Sequence, residues 1–137
     1  MVILGIDYGE RRIGLAITDA EEIIASPLKT LPNDAKLFDE LSEIVKERKV
    51  GEIVVGIPYN MNGSLGPAGE KVLQFAEQLR ERLGVPVDTI DERLTTVQAE
   101  RAMLRHDMSR ARRRSRVDEM AAQILLQSHV DARKRKK

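Results

Sequence analysis

The chain has no cysteine among its 137 residues, and only 3% of them are aromatic. The absence of cysteine excludes a disulfide framework, thiolate metal sites and cysteine nucleophiles, and it suits a reducing cytoplasm. No apolar run is long enough to span a bilayer, and the first residues lack the basic region of a signal peptide. We therefore expect a cytoplasmic protein with one domain over residues 1–137, whose core consists mainly of Ile, Leu, Val and Ala.

The net charge of +1 conceals an uneven distribution along the chain. Residues 1–100 contain 11 basic and 18 acidic side chains, whereas residues 101–137 contain 12 basic and 4 acidic ones. A basic final third on an acidic body predicts a polyanionic partner. The cluster from Arg110 to Arg116 lies between two predicted helices, which favours phosphate contact. The basic tail from about residue 132 is equally well explained as a solubilising end.

Apolar runs and turn residues predict the order β-β-β-α-β-α-β-α-α. Residues 2–8 and 13–19 form a predicted hairpin, and a third strand runs from Ile23 towards Leu31 with Pro27 typical of a sheet edge. Strands at 53–57 and 87–90 alternate with helices. Their predicted first turns are marked by Asp34, by Pro67, by Thr95 with Gln98, and by Ser115. The order predicts an α/β fold with a mixed five-stranded sheet flanked by helices.

The hairpin places Asp7 opposite Gly14 if residues 9–12 form its loop. Strand alternation then puts bulky aliphatic residues on one face and small residues on the other, with Asp7 as the exception. A carboxylate on such a face has to be paired, coordinated or raised in pKa. An acid hydrogen-bonded into the turn is the simpler alternative, but the surrounding glycines favour a functional role.

Two further positions supply acids. Asp118 lies at the edge of the apolar stripe of the last predicted helix, with Glu119 a less certain second choice. The alternative role of Asp118 is to stabilise the positive, N-terminal end of the helix dipole. Asp91 and Glu92 follow the strand around Val87, and spacing alone does not choose between them.

Carboxylates from a first strand, a later strand end and a late helix form a hard oxygen donor set, which selects Mg²⁺ or Mn²⁺. Two such ions about 4 Å apart would stabilise both oxygens of an in-line phosphoryl displacement. Together with the basic cluster, this predicts a metal-dependent nuclease centred on Asp7. Neither His106 nor His129 is assigned a catalytic role. The loop from Asn60 to Ser64 is expected to contact substrate, although a plain surface loop is nearly as good an interpretation.

Five segments resemble the YqgF (RuvX) family in order along nearly the whole chain. They are GIDYG at 5–9, RRIGLA at 11–16, VGIP at 55–58 with NGS at 62–64, DERLTT at 91–96 and VDEMAAQIL at 117–125. The resemblance implies an RNase H-like fold with strand order 3-2-1-4-5, the first three strands being antiparallel. It also implies an acidic triad of Asp7, Glu92 and Asp118. The family often has an acid where Asn62 stands here, so this loop is not counted among the metal ligands.

The family is described as nucleases that mature the 5′ end of pre-16S rRNA, with a Holliday-junction endonuclease as the alternative and a symmetric dimer as its expected form. We therefore expect structured RNA as the partner, branched DNA as the alternative, and a monomer or homodimer. Sugar-kinase-like ATPases open with a similar hairpin but need two such domains, and a non-catalytic nucleic-acid-binding module is a further alternative. The residues expected to contact nucleic acid are Arg11, Arg12, Asn60, Asn62, Ser64, Arg93, Thr95, Thr96, Arg110, Arg112, Arg113, Arg114 and Arg116.

Overall fold

A computed structural model describes residues 1–97, 100–101 and 110–135, with only the backbone for 110–116 and 135. Its strands are β1 (Val2–Asp7), β2 (Arg12–Thr18), β3 (Ala25–Pro32), β4 (Val50–Ile57) and β5 (Val87–Asp91). Its long helices are α1 (Leu37–Glu47), α2 (Pro67–Leu83) and α3 (Arg110–Arg135), and a short 3₁₀ helix covers Glu92–Leu94. None of the described helices is both long and apolar enough to cross a lipid bilayer.

The five strands form one mixed sheet in the order β3-β2-β1-β4-β5. β1, β2 and β3 pair antiparallel, whereas β4 is parallel to both β1 and β5. The predicted class, strand order and antiparallel start are confirmed. β3 is an edge strand, as Pro27 predicted. Proline has no backbone N–H to donate, which a sheet tolerates where that side of the strand has no neighbour.

The predicted hairpin register is also confirmed, with Asp7 opposite Gly14 and Gly5 opposite Ala16. The bulky face packs under α1 and α2 in the larger hydrophobic core, which includes Leu4, Ile6 and Leu15. The opposite face packs under α3, which crosses β1, β2 and β3. The two faces therefore differ in side-chain size because a helix lies much closer to the second one.

The predicted helix starts are partly wrong. Pro67 is the first residue of α2 and Gly84, in the left-handed region at φ 68°, ends it, as expected. Asp34, however, accepts a hydrogen bond from the backbone N of Lys36, and α1 begins only at Leu37. Ser115 lies inside α3, because the arginine-rich stretch before it is helical from Arg110 onwards. Gln98, the partner expected for Thr95, lies outside the described residues.

Candidate active site

A cleft of about 280 Å³ opens at the carboxyl ends of β1 and β4, beside the 3₁₀ helix that follows β5. Parallel strands end at the same edge of a sheet, so residues far apart in sequence meet there. The lining residues are Asp7, Tyr8, Gly9, Pro58, Glu92, Arg101 and Asp118. The three acids that the resemblance implied therefore line one cleft.

Asp7 is the last residue of β1, and only 5% of its surface is exposed. Burial raises the pKa of its carboxyl group from 3.8 to about 6, against the opposing effect of the Arg101 guanidinium. Arg101 Nη2 donates a short hydrogen bond to Asp7 Oδ1. Asp7 is therefore a desolvated carboxylate in the cleft that is paired with Arg101.

Glu92 begins the 3₁₀ helix and is also 5% exposed, whereas Asp91 precedes it at the end of β5. Burial raises the pKa of Glu92, and Arg101 Nη2 lies 3.7 Å from its Oε1. Asp91 accepts hydrogen bonds from Arg93, which lower its pKa. Sequence spacing left the choice between these two acids open, and the structure places Glu92 in the cleft and Asp91 against Arg93.

Asp118 reaches the cleft from α3, and its Oδ2 accepts a hydrogen bond from Arg12 Nε at 2.8 Å. Two glycines explain how the helix comes so close. A Cβ on Gly14 would lie 2.0 Å from the backbone oxygen of Asp118, and a Cβ on Gly5 would lie 2.8 Å from Leu126 Cβ. The small-residue face of the hairpin therefore makes room for α3, and this approach places Asp118 near Asp7.

Glu119, the second choice on this helix, points elsewhere. Its Oε2 accepts a hydrogen bond from Thr30 Oγ1 at 3.4 Å, on the edge strand β3. It is not among the residues that line the cleft. Of the two neighbouring acids on α3, Asp118 is the one placed with Asp7 and Glu92.

Arg101 was missed by the sequence analysis. It contacts Asp7 directly and lies near Glu92, so it joins two of the three acids. A signal was available: Arg101 follows the apolar Val97 by four residues, and residues four apart share a helix face. In the structure Val97 is fully buried. An arginine in the row of a buried valine faces protein, by the same argument that singled out Asp118.

The residues expected to bind nucleic acid are dispersed around the cleft. Arg11 is exposed in the hairpin loop, whereas Arg12 pairs with Asp118. Arg93 Nη1 donates to the backbone oxygens of Asn60 and Met61 at 3.3 and 3.4 Å, which ties the loop to the 3₁₀ helix.

The remaining side chains in this set serve mainly local contacts. Within the loop, Asn62 Oδ1 accepts from both the backbone N and the Oγ of Ser64. Thr95 Oγ1 donates to Glu92 O at 2.8 Å, and the backbone oxygen of Thr96 accepts from Glu100 N. The hydroxyl of Thr95 therefore fixes the turn that carries Glu92.

The side chains of Arg110, Arg112, Arg113, Arg114 and Arg116 lie outside the described residues. Their backbone is helical and belongs to α3. The sequence had instead predicted a linker between two helices at this position. The predicted basic tail is helical as far as Arg135, and Arg133 within it pairs with Glu22 and Glu52. At least this arginine therefore has a folded partner.

The donor set of the cleft has the chemistry that a hard divalent cation takes. It consists of carboxylates from three separate elements, two of them less than a tenth exposed. The raised pKa of Asp7 shows that Arg101 alone does not offset the desolvation of these groups. Oxygen ligands with uncompensated negative charge are the environment that Mg²⁺ and Mn²⁺ prefer.

A family model described as "RuvX: Holliday junction resolvase" matches residues 1–132. The chain belongs to the RuvX family. Curated relatives of this RuvX protein include one from Caldanaerobacter subterraneus subsp. tengcongensis, 48% identical over 137 residues, which are 98% of this chain and 99% of the relative. Another, from Clostridioides difficile, is 45% identical and covers 94% of this chain and 93% of its own length. Both are named "Putative pre-16S rRNA nuclease".

Solved structures support the fold. Thermus thermophilus RuvC in complex with a Holliday junction substrate superposes with a TM-score of 0.60 at 17% identity, covering 97% of this chain and 96% of that one. The fowlpox virus Holliday junction resolvase gives a TM-score of 0.56 at 11% identity, covering 96% and 99%. These likenesses confirm the RNase H-like arrangement. With its family and relatives, the RuvX protein is a nuclease, a hydrolase that acts on phosphodiester bonds of nucleic acid.

Proposed function

We propose that this nuclease is metal-dependent and matures the 5′ end of pre-16S rRNA, with Asp7, Glu92 and Asp118 as its catalytic, metal-binding acids. One observation carries the assignment: three carboxylates separated by up to 111 positions in sequence line the same cleft, and two of them are nearly inaccessible to water. Burying carboxylates together costs folding free energy, so such a cluster points to a functional role rather than a stabilising one. The names of the curated relatives supply the substrate.

Asp7, Glu92 and Asp118 would hold two Mg²⁺ or Mn²⁺ ions, which would supply a polarised phosphoryl oxygen and an activated water. The chain's own groups then have separate tasks. Asp7 and Glu92 present carboxylates that are shielded from bulk water, and Arg12 orients the carboxylate of Asp118. Arg101 offsets the charge of Asp7 and Glu92, and with a cation held by those acids its guanidinium would be placed to bind a substrate phosphate.

Substrate is expected to approach over the surface next to Glu92. Met61 and Leu94 are 90% and 78% exposed there, beside Arg93 and Thr95. Exposed apolar side chains beside an arginine can contact unstacked bases, which single-stranded RNA presents. The arginines from 110 to 116 would add phosphate contacts from the start of α3.

The second candidate substrate is a four-way DNA junction, favoured by the family description and by the fold shared with RuvC. The two functions use the same acids and differ in substrate geometry. A junction enzyme is expected to act as a symmetric dimer, whereas an RNA-processing enzyme can act as a monomer or a homodimer. For the first function we also propose the cytoplasm, where bacterial ribosomes mature.

The decisive experiment compares cleavage of a pre-16S rRNA 5′ fragment, an unrelated single-stranded RNA and a four-way DNA junction. Each is incubated with Mg²⁺, Mn²⁺ or EDTA, and oligomeric state is measured by light scattering in the same buffers. We expect cation-dependent cleavage of the rRNA fragment at a defined 5′ position and binding that weakens steeply with salt. Preferential, symmetric cleavage of the junction by a dimer would transfer the proposal to the second substrate, and equal activity in EDTA would contradict metal dependence.

A further inference from the structure

A second cluster of metal-ligating groups lies at the other end of α3. Glu52 on β4, Asp88 on β5 and His129 on α3 each offer a ligand atom, and these atoms all lie within 4.8 Å of one another. His129 follows Asp118 by 11 residues, which is three helical turns, so both face the sheet at a separation of about 16 Å. The cluster is therefore remote from the cleft and shares only the helix with it.

Glu52 is a buried acid whose two oxygens differ. Only 7% of the residue is exposed. Its Oε2 accepts a hydrogen bond from Arg133 Nη2 at 2.5 Å, whereas its Oε1 is shielded from solvent and has no hydrogen-bond partner among the described residues. A buried carboxylate oxygen without a partner costs folding free energy, so such an oxygen calls for a bound ion or water.

His129 also has a buried polar atom without a hydrogen-bond partner among the described residues. Its Nε2 is also shielded from solvent and has no partner in the described part of the chain, so it does not bond to Glu52 Oε1. Burial, and after it the positive charge of Arg133, lowers the pKa of the imidazole. A lowered pKa favours the neutral imidazole, which is the form that ligates metals.

We propose that Glu52, Asp88 and His129 bind a divalent transition metal ion, with Zn²⁺ as the best match. One imidazole nitrogen and two carboxylate oxygens are a ligand set that Zn²⁺ accepts, with water in the fourth position. Ligands in such sites lie roughly 2.0–2.2 Å from the ion, so the cluster has to close slightly. Asp88 is exposed and can change rotamer to do so, while Arg133 holds Glu52 in place from outside.

Such an ion would join β4, β5 and α3 at the end of the sheet away from the cleft. Because the three ligands come from distant parts of the chain, the unfolded chain offers no preformed site. Binding would therefore stabilise the folded state in proportion to the logarithm of the free metal concentration. This inference does not depend on the proposed substrate or on the acids of the cleft.

The test uses untagged full-length protein stripped with EDTA and dialysed. Zn²⁺ is titrated calorimetrically into wild type, Glu52→Gln, His129→Ala, Asp7→Asn and, as a histidine control, His106→Ala. In parallel, the imidazole nitrogen resonances of ¹⁵N-labelled protein are followed, and circular dichroism checks that each variant is folded. Asp7→Asn removes a carboxylate of the cleft, so it distinguishes Zn²⁺ bound at Glu52, Asp88 and His129 from Zn²⁺ bound in the cleft.

We expect one Zn²⁺ equivalent that is weakened about tenfold or more by Glu52→Gln and by His129→Ala. Asp7→Asn and His106→Ala should retain that equivalent, and the Nε2 resonance of His129 should shift on Zn²⁺ addition. The proposal is overturned if the Nε2 resonance of His129 does not respond. Equal Zn²⁺ binding by wild type and Glu52→Gln would overturn it as well, and would leave a bridging water as the partner of both orphan atoms.

Discussion

The two ends of α3 bring acids and arginines together in opposite ways. At the cleft end, Arg12 and Arg101 contact Asp118 and Asp7, and the acids line an open cleft. At the far end, Arg133 binds one oxygen of Glu52, and the other oxygen is buried without a partner among the described residues. In the first arrangement each arginine contacts an acid that lines the cleft, whereas in the second a carboxylate oxygen is buried with its hydrogen-bonding capacity unused.

The difference shows why a count of charged residues says little about a site. Both ends place acids near arginines on one helix, but their solvent access and unfilled hydrogen bonds differ. We therefore expect loss of a charged side chain at the cleft end to alter chemistry with small structural cost, and loss of one at the far end to alter stability. The following predictions run from the largest expected effect to the smallest.

The largest effect is expected from Asp7→Asn. Cleavage should fall about a thousandfold, equivalent to about 4 kcal/mol in the activation barrier, because the amide does not supply a charged metal ligand. Affinity for RNA should be retained, as measured by fluorescence anisotropy without divalent ions. Asp39→Asn, an exposed acid on α1, is the matched control and should cleave normally. Cleavage by Asp7→Asn within tenfold of wild type would remove Asp7 from the chemistry and favour a different cleft residue.

The next effect concerns the approach of α3 to the hairpin. Gly14→Ala should lower the free energy of unfolding by about 3 kcal/mol, because its Cβ meets rigid helix backbone. Gly5→Ala should cost less, about 1–2 kcal/mol, because its nearest contact at 2.8 Å is the Leu126 side chain. Urea unfolding followed by circular dichroism measures both. Equal losses at the two glycines would mean that the helix shifts freely at the cleft end.

The pKa of Asp7 predicts a pH dependence that Asp7→Asn should lack. The pKa is raised in the folded state from 3.8 to about 6, so the folded protein binds this proton more tightly than the unfolded chain. The stabilisation is complete below pH 3.8 and is lost as pH rises through about 6, by about 2–3 kcal/mol in total.

Unfolding free energies of wild type and Asp7→Asn, measured in EDTA between pH 4 and pH 8, provide the test. As pH rises, the unfolding free energy of the wild type should fall relative to that of Asp7→Asn. A constant difference across this range would show that Asp7 titrates normally in the folded state.

The smallest effects compare the arginines of the two ends. Arg133→Ala should cost about 2 kcal/mol of unfolding free energy, because it leaves Glu52 buried with neither oxygen paired. Arg12→Ala should cost less than about 1 kcal/mol, because Arg12 has a side chain 42% exposed and water can replace it. Thermal unfolding of both variants at the same pH gives the ratio of the two losses in unfolding free energy. A larger loss for Arg12→Ala would reverse the distinction between the two ends.

Much of the fold follows from local pattern. The hairpin register was predictable because strand side chains alternate, so a four-residue loop determines which residues face each other. The edge position of β3 followed from Pro27. The helical state of the residues before Ser115 did not, because Ser115 is a good capping residue and nothing local shows that residues from Arg110 onwards are helical. Helix ends depend on tertiary packing as well as on the capping residue.

The acids of the candidate site were predictable from the sequence, whereas the arginine that contacts them was not. Asp7, Glu92 and Asp118 were named from face patterns and from the resemblance, and they lie together. Arg101 was overlooked, since its partner Asp7 lies 94 positions away. His129 was given no role for the same reason: its neighbours Glu52 and Asp88 come from other elements.

The amino-acid sequence by itself determined the register of the hairpin, its small-residue face and the one acid, Asp7, that stands on that face, because these depend on alternation and spacing within a few residues. Only the tertiary structure decided what the glycines make room for, which of Asp91 and Glu92 enters the cleft, and which arginine each acid meets. Those outcomes depend on how closely α3 packs on the sheet, and that distance is determined by contacts between residues about a hundred positions apart.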